Sequence, residues 1–155
     1  MLRGISSRSM ESVTAFSPRA SPMSQIVLIV EDSDHGATTL EIALSGAAGL
    51  NTVSVTEGNQ AWRYLRDHPE GSIAAVVTDL NMPGMDGFEL IRNIRGSARY
   101  DKLPIIVVSG CTDPGAPSRV AELGASAFFG KPFSPARVRA TLERLLNEMQ
   151  TTSSA

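Results

Sequence analysis

Asp79 closes an apolar run rich in β-branched residues, Ile73 to Val77, and opens the segment Thr78-Asp79-Leu80-Asn81-Met82-Pro83-Gly84-Met85-Asp86-Gly87. A carboxylate at the tip of a buried strand, followed at once by a turn rich in Gly and Pro, points out of the sheet into the mouth where α/β proteins bind ligands. Asp79 is therefore a candidate nucleophile. Glu31 and Asp32 follow a second apolar run, Ile26 to Val30. Three carboxylates converging on one cleft repel one another unless a cation is held between them. An all-oxygen set selects a hard ion, and a site of few carboxylates, a carbonyl and waters favours Mg²⁺ over Ca²⁺. The competing reading is that Glu31, Asp32 and Asp34 only cap the helix that follows; Asp34 is expected to be such a cap.

Two further strand ends carry polar groups. Ser109-Gly110 places a hydroxyl with no bulky neighbour after the run Ile105 to Val108, and Gly130-Lys131-Pro132-Phe133 places an ammonium after Ala127 to Phe129. Taken singly, Ser109 is an ordinary turn residue and Lys131 a solvated cation. Together at neighbouring strand ends they outline a phosphate-sized pocket, with a metal on one side and a donor and a cation on the other. Cys111 reads as a small, half-buried residue after a strand, and its solitude excludes an intrachain disulfide and a zinc cluster. His35 and His68 have no companion at metal-ligand spacing and read as surface residues.

Short apolar runs alternating with amphipathic stretches must position these groups. Strands are predicted at Ile26 to Val30, Thr52 to Val55, Ile73 to Val77, Ile105 to Val108 and Ala127 to Phe129, most of them continuously apolar, as strands buried on both faces are. Helices are predicted over about 36–48, 60–68, 87–96, 118–123 and 135–149. In the last of these Val138, Leu142, Leu145 and Met149 form one stripe, and Ser134 stands as N-cap before Pro135. Strands that alternate with helices give a parallel sheet covered on both faces by right-handed crossovers. The strand order 2-1-3-4-5 is one of the two common doubly wound solutions, and its crevice lies at the carboxyl ends of strands 1 and 3. Glu31, Asp32 and Asp79 sit at those ends.

The 155 residues suffice for one domain, expected over 25–149, with a disordered tail at 150–155. Residues 1–24 are rich in Ser with scattered Arg, Pro18 and Pro22, the composition of a disordered leader. An organellar transit peptide is an alternative reading of this leader, and Met23 an alternative start. Beyond it, eleven basic residues face fifteen acidic ones, a net −4 that argues against nonspecific nucleic-acid binding. No apolar stretch approaches the roughly 20 residues of a membrane span. A soluble, cytoplasmic protein is expected.

Glu31-Asp32 after an apolar strand, the stretch from Asp79 to Gly87, the Ser109-Gly110 end and the Lys131-Pro132-Phe133 end together resemble the receiver domain of two-component response regulators. The resemblance covers about residues 25–149. Intervals of 30 residues from Asp79 to Ser109 and 22 from Ser109 to Lys131 leave room for one helix and one strand each. The resemblance implies a flavodoxin-like three-layer sandwich. It implies that Asp79 accepts a phosphoryl group from a phosphohistidine to form an acyl phosphate, in a Mg²⁺-dependent reaction catalysed with its reversal by hydrolysis. Asp32 and Asp79 would ligate Mg²⁺ through their side chains, Asn81 through its backbone carbonyl, and Glu31 largely through a bound water. Lys131 would pair with phosphoryl oxygens, and the Lys131-Pro132 bond would be cis. Ser109 would be drawn toward the phosphoryl group, and Phe128, where many receivers carry Tyr, would move into the space behind it. A static core aromatic is the alternative reading of Phe128.

The resemblance implies a histidine kinase or histidine phosphotransfer protein as phosphoryl donor, and a signalling protein rather than a classical enzyme. A stand-alone receiver is expected, signalling through contact with a protein target or passing its phosphoryl group on in a relay; pairing as a homodimer stays open. Pro114, Gly115 and Pro117 shorten the fourth helix, so a partner mode borrowed from relatives does not transfer. A phosphatase of the haloacid dehalogenase-like kind would need a second Asp two residues after the nucleophile, where this chain has Asn81. An interaction module that is never phosphorylated would be expected to lack the acidic pair, Asp79 or Lys131.

Overall fold

The computed structural model describes residues 25–45 and 49–154, with side chains described through residue 149. The readings made for residues 1–24 lie outside the described residues. Five strands, β1 (Gln25–Val30), β2 (Leu50–Val55), β3 (Ile73–Thr78), β4 (Ile105–Ser109) and β5 (Ala127–Gly130), pair in parallel in the order β2-β1-β3-β4-β5. Among the described residues, five α-helices connect or follow them: α1 (Asp34–Leu44), α2 (Gly58–Asp67), α3 (Gly87–Arg95), α4 (Ala116–Leu123) and α5 (Pro135–Ser154). A 3-10 turn, Ala98–Tyr100, follows α3. This is the doubly wound, flavodoxin-like arrangement expected from the alternation of patterns.

Successive side chains of a strand point to opposite faces, so each continuous apolar run feeds two cores. Leu28, Val30, Val76, Ile105 and Val107 pack with Ala61, Leu65, Leu90, Ile91, Ile94 and Val120 of α2, α3 and α4. Val27, Ile29, Ala75, Val77, Ile106 and Val108 pack with Leu40 and Leu44 of α1 and Val138 and Leu142 of α5. Each Leu or Ile buried this way contributes about 1.5–3 kcal/mol relative to exposure. The two layers together hold the strand ends in register.

Several boundaries differ from those predicted. The N-cap of α1 is Ser33 and not Asp34: Ser33 has extended backbone and its Oγ accepts the Gly36 N–H at 3.2 Å, which leaves Asp34 in the first turn. There its charge still favours the helix N-terminus. The predicted end of α1 near residue 48 gives way to Leu44. Helix α4 begins two residues earlier than expected, because Pro117 falls in the first turn, where no N–H partner is needed. Helix α5 is capped by Ser134, whose Oγ accepts the Arg137 N–H at 3.3 Å, and it runs to Ser154, beyond the predicted end at 149. Met149 is 40% exposed and falls off the end of the buried stripe. His68 is half-buried and stacked on Tyr64 with ring centroids 3.8 Å apart, not a free surface residue; His35 is exposed. Among the described residues no helix is long and apolar enough to cross a membrane.

Candidate functional site

The main chain carries the sheet's hydrogen bonding one step past the strands, and this places the site. Glu31 N–H donates to Val55 O at 3.0 Å, Asp79 N–H to Val30 O at 3.0 Å, and Lys131 N–H to Ser109 O at 2.9 Å. The residues after β1, β3 and β5 are thereby pinned at one edge of the sheet. The Thr78 hydroxyl adds a bond to Asp79 O at 2.8 Å. Helix α3 closes the Asp79 loop from below: Gly87 N–H donates to Leu80 O at 2.9 Å, and the Asp86 carboxylate caps α3 by accepting Glu89 N–H at 2.9 Å.

The side chains then converge. Glu31, Asp32 and Asp79 each offer a carboxylate oxygen within 4.8 Å of the others. Glu31 and Asp79 are buried and Asp32 is exposed at the mouth. Asp79 Oδ1 accepts the main-chain N–H groups of Leu80 at 2.6 Å and Asn81 at 3.3 Å, while Asp79 Oδ2 accepts from Lys131 Nζ at 3.0 Å. Lys131 Nζ also donates to Glu31 Oε1 at 2.7 Å, and Glu31 Oε2 accepts the Ser33 N–H at 3.2 Å. Burial alone would lower the Lys131 pKa. Its hydrogen bonds to Glu31 and Asp79, together with their charges, outweigh burial and hold the ammonium above its ordinary value.

One ammonium faces three carboxylates, so the cluster retains a net negative charge that a divalent cation would offset. The donors are all oxygen, and two are buried, which suits a small hard ion. Asn81, two residues after Asp79, is exposed.

Ser109 ends β4 and Phe128 lies within β5. The Ser109 hydroxyl is fully buried and accepts the Cys111 N–H at 3.1 Å, so it is not open to approach. Phe128 is half-buried against the core shared by α2, α3 and α4, with Phe129 half-buried on the opposite face. The Lys131-Pro132 bond is cis.

Sequence reasoning missed three glycines that let elements close on this site. A Cβ at Gly87 would collide with Asp79 O and stand 2.7 Å from Leu80 Cα; one at Gly58 would collide with Met85 O. One at Gly36 would stand 2.9 Å from Glu31 Cδ. For Gly36 and Gly87 the signal was available as glycine in the first turn of a predicted helix, where its propensity is poor; Gly58 lies before the predicted start at residue 60.

Comparison with known proteins agrees with this geometry. Residues 27–143 match the model of the response regulator receiver domain. The chain is similar to response regulator Rre1 of Synechocystis, at 28% identity over 88% of this chain and 57% of that protein. It thus spans little more than half of that relative. It is also similar to a chemotaxis protein CheY homolog of Campylobacter jejuni, at 29% identity over 77% of this chain and 91% of the relative. Among solved structures, the receiver domain of sensor histidine kinase PA1611 from Pseudomonas aeruginosa, which has a magnesium ion coordinated in its active-site cleft, superposes with a TM-score of 0.69. That match is 27% identical and covers 79% of this chain and 98% of the other. With its β2-β1-β3-β4-β5 sheet and its acidic cluster at the strand ends, the chain belongs to the response regulator receiver domain family.

Proposed function

We propose that this chain is a phosphorylatable receiver in which Asp79 takes a phosphoryl group from the phosphohistidine of a histidine kinase or histidine phosphotransfer protein, in a Mg²⁺-dependent reaction. The observation that carries this reading is the Asp79 carboxylate, bonded to Lys131 at 3.0 Å and grouped with Glu31 and Asp32 within 4.8 Å. In the transfer an Asp79 oxygen forms a bond to phosphorus as the phosphorus–nitrogen bond breaks, and the imidazole departs. Asp79 Oδ2 is the oxygen suited to attack, because Oδ1 is already held by two main-chain N–H groups. Those two donors orient the carboxylate and keep it from rotating away. Lys131 keeps its proton and lends its positive charge to the oxygens of the incoming group; such positioning and charge stabilisation dominate phosphoryl transfer.

Asp32 and Asp79 by their carboxylates, Asn81 by its main-chain carbonyl and Glu31 through a water would hold Mg²⁺. When bound, the ion supplies neutralisation of the negative charge that builds between nucleophile and leaving group. Supporting this choice of metal is the all-oxygen donor set beside a single ammonium. Hydrolysis of the acyl phosphate returns the carboxylate.

After transfer the new charge and acceptor oxygens at the mouth draw the Ser109 hydroxyl away from Cys111 N–H, and Phe128 moves into the space released. The changed surface is then read by a protein partner in the cytoplasm, directly or as a step in a relay. The similarity to the chemotaxis protein CheY homolog, 91% of which is covered, supports a receiver role. The test is incubation with acetyl phosphate and Mg²⁺. Wild type should gain the mass of one phosphoryl group and Asp79→Asn should not; an equal gain in both, or in neither, sinks the assignment.

A further inference from the structure

Gly36 lies in the first turn of α1, where its N–H donates to Ser33 Oγ at 3.2 Å. Its φ is outside the left-handed region, so the backbone does not call for glycine, and glycine is among the poorest helix residues. Space does call for it. A Cβ at position 36 would stand 2.9 Å from Glu31 Cδ, 3.0 Å from Oε1 and 3.1 Å from Cγ. The Glu31 side chain has little freedom to yield: it is 2% exposed, its Oε1 is 2.7 Å from Lys131 Nζ, and its Oε2 accepts the Ser33 N–H at 3.2 Å.

We propose that Glu31 and Gly36 are a matched pair, in which Gly36 is the positioning residue that admits the longer of the two acidic side chains at position 31. Gly36 sets the Glu31 carboxylate where it ties down Lys131 and joins Asp32 and Asp79. An Asp at position 31, one methylene shorter, would draw back from α1 and leave room for a Cβ at position 36. Residue 36 thus decides whether the longer acidic residue can stand in the cluster. The part of this inference that concerns Mg²⁺ rests on the function proposed above; the part that concerns Lys131 does not.

The test compares the full chain with G36A, E31D and the double variant E31D/G36A. Without metal, the Lys131 side-chain resonances report its contact with Glu31; with Mg²⁺ alone, titration calorimetry reports affinity. G36A should displace the Lys131 resonances and weaken Mg²⁺ binding on the order of tenfold, the scale of losing a residue that orients a ligand. It should do so even though Ala is the better helix former. E31D/G36A should bind Mg²⁺ more tightly than G36A, which a merely structural role for Gly36 would not produce. G36A with wild-type Lys131 resonances and unchanged affinity would overturn the pairing, as would a double variant no better than G36A. If wild type itself binds no Mg²⁺, the metal reading fails, and the Lys131 resonances of G36A still decide the pair.

Discussion

Lys131 Nζ stands 2.7 Å from Glu31 Oε1 across 100 positions of sequence, closer than its 3.0 Å approach to Asp79 Oδ2. The ammonium is therefore shared between two buried carboxylates, and it offsets part of the repulsion that would otherwise open the site. Lys131→Met should leave those two carboxylates facing each other, and should destabilise the chain by about 1–3 kcal/mol in urea denaturation without Mg²⁺. Added Mg²⁺ should raise the melting temperature of this variant more than that of wild type. Because the folded Lys131 pKa is raised above 10.5, its contribution is present below that pH and is lost as pH rises through the folded value.

Removing charge from the cluster should have the opposite metal dependence. Asp79→Asn should show a smaller Mg²⁺-induced rise in melting temperature than wild type, and EDTA should abolish the rise in both. A Mg²⁺ response independent of Asp79 would remove it from the proposed ligand set.

Gly87→Ala should be costly, because the added methyl would meet Asp79 O and the Leu80 Cα, main-chain atoms that cannot rotate aside. Helix α3 must then back off from the Asp79 loop. A loss of about 1–3 kcal/mol is expected by urea denaturation, together with slower phosphorylation by acetyl phosphate. Unchanged stability would mean that the loop has room to move.

The Tyr100 hydroxyl donates to Leu65 O at 2.7 Å from a buried position, and it ties the 3-10 turn to the end of α2. Tyr100→Phe should cost about 1 kcal/mol. Burial, opposed by Arg99 and assisted by Glu70, raises the Tyr100 pKa above 10.0. The folded state then holds the phenolic proton more tightly than the unfolded state, so stability falls as pH rises above about 10. An ultraviolet titration of wild type should show a late-ionising tyrosine that Tyr100→Phe lacks; a curve without that late component would contradict this burial.

Beryllium fluoride with Mg²⁺, a mimic of the phosphoryl group, should shift the amide resonances of Cys111 and the ring resonances of Phe128 in wild type and not in Asp79→Asn. Shifts confined to the Asp79 loop would make Phe128 a static core residue.

The order of the strands and the residues at their tips were legible in the sequence because both follow from local pattern. Continuous apolar runs such as Ile73 to Val77 specify strands buried on both faces, and the acidic pair, Asp79, Ser109 and Lys131 each stand one or two positions after the end of one. Parallel pairing with right-handed crossovers then leaves few ways to arrange those tips. Helix ends were less legible, since Ser33 and Asp34 are both good caps and only backbone conformation chooses between them.

What tertiary structure alone decided is which groups touch. Lys131 could be assigned to the mouth by its strand, yet its bond to Glu31 depends on side-chain reach across two strands and on the space that Gly36 leaves. The Ser109 hydroxyl could be placed at a strand end, yet its burial depends on the turn to Cys111. Sequence period determines the face and the end of the sheet on which a residue lies. Distances of 3.0 and 2.7 Å between residues 52 and 100 positions apart come from packing, which no local pattern encodes.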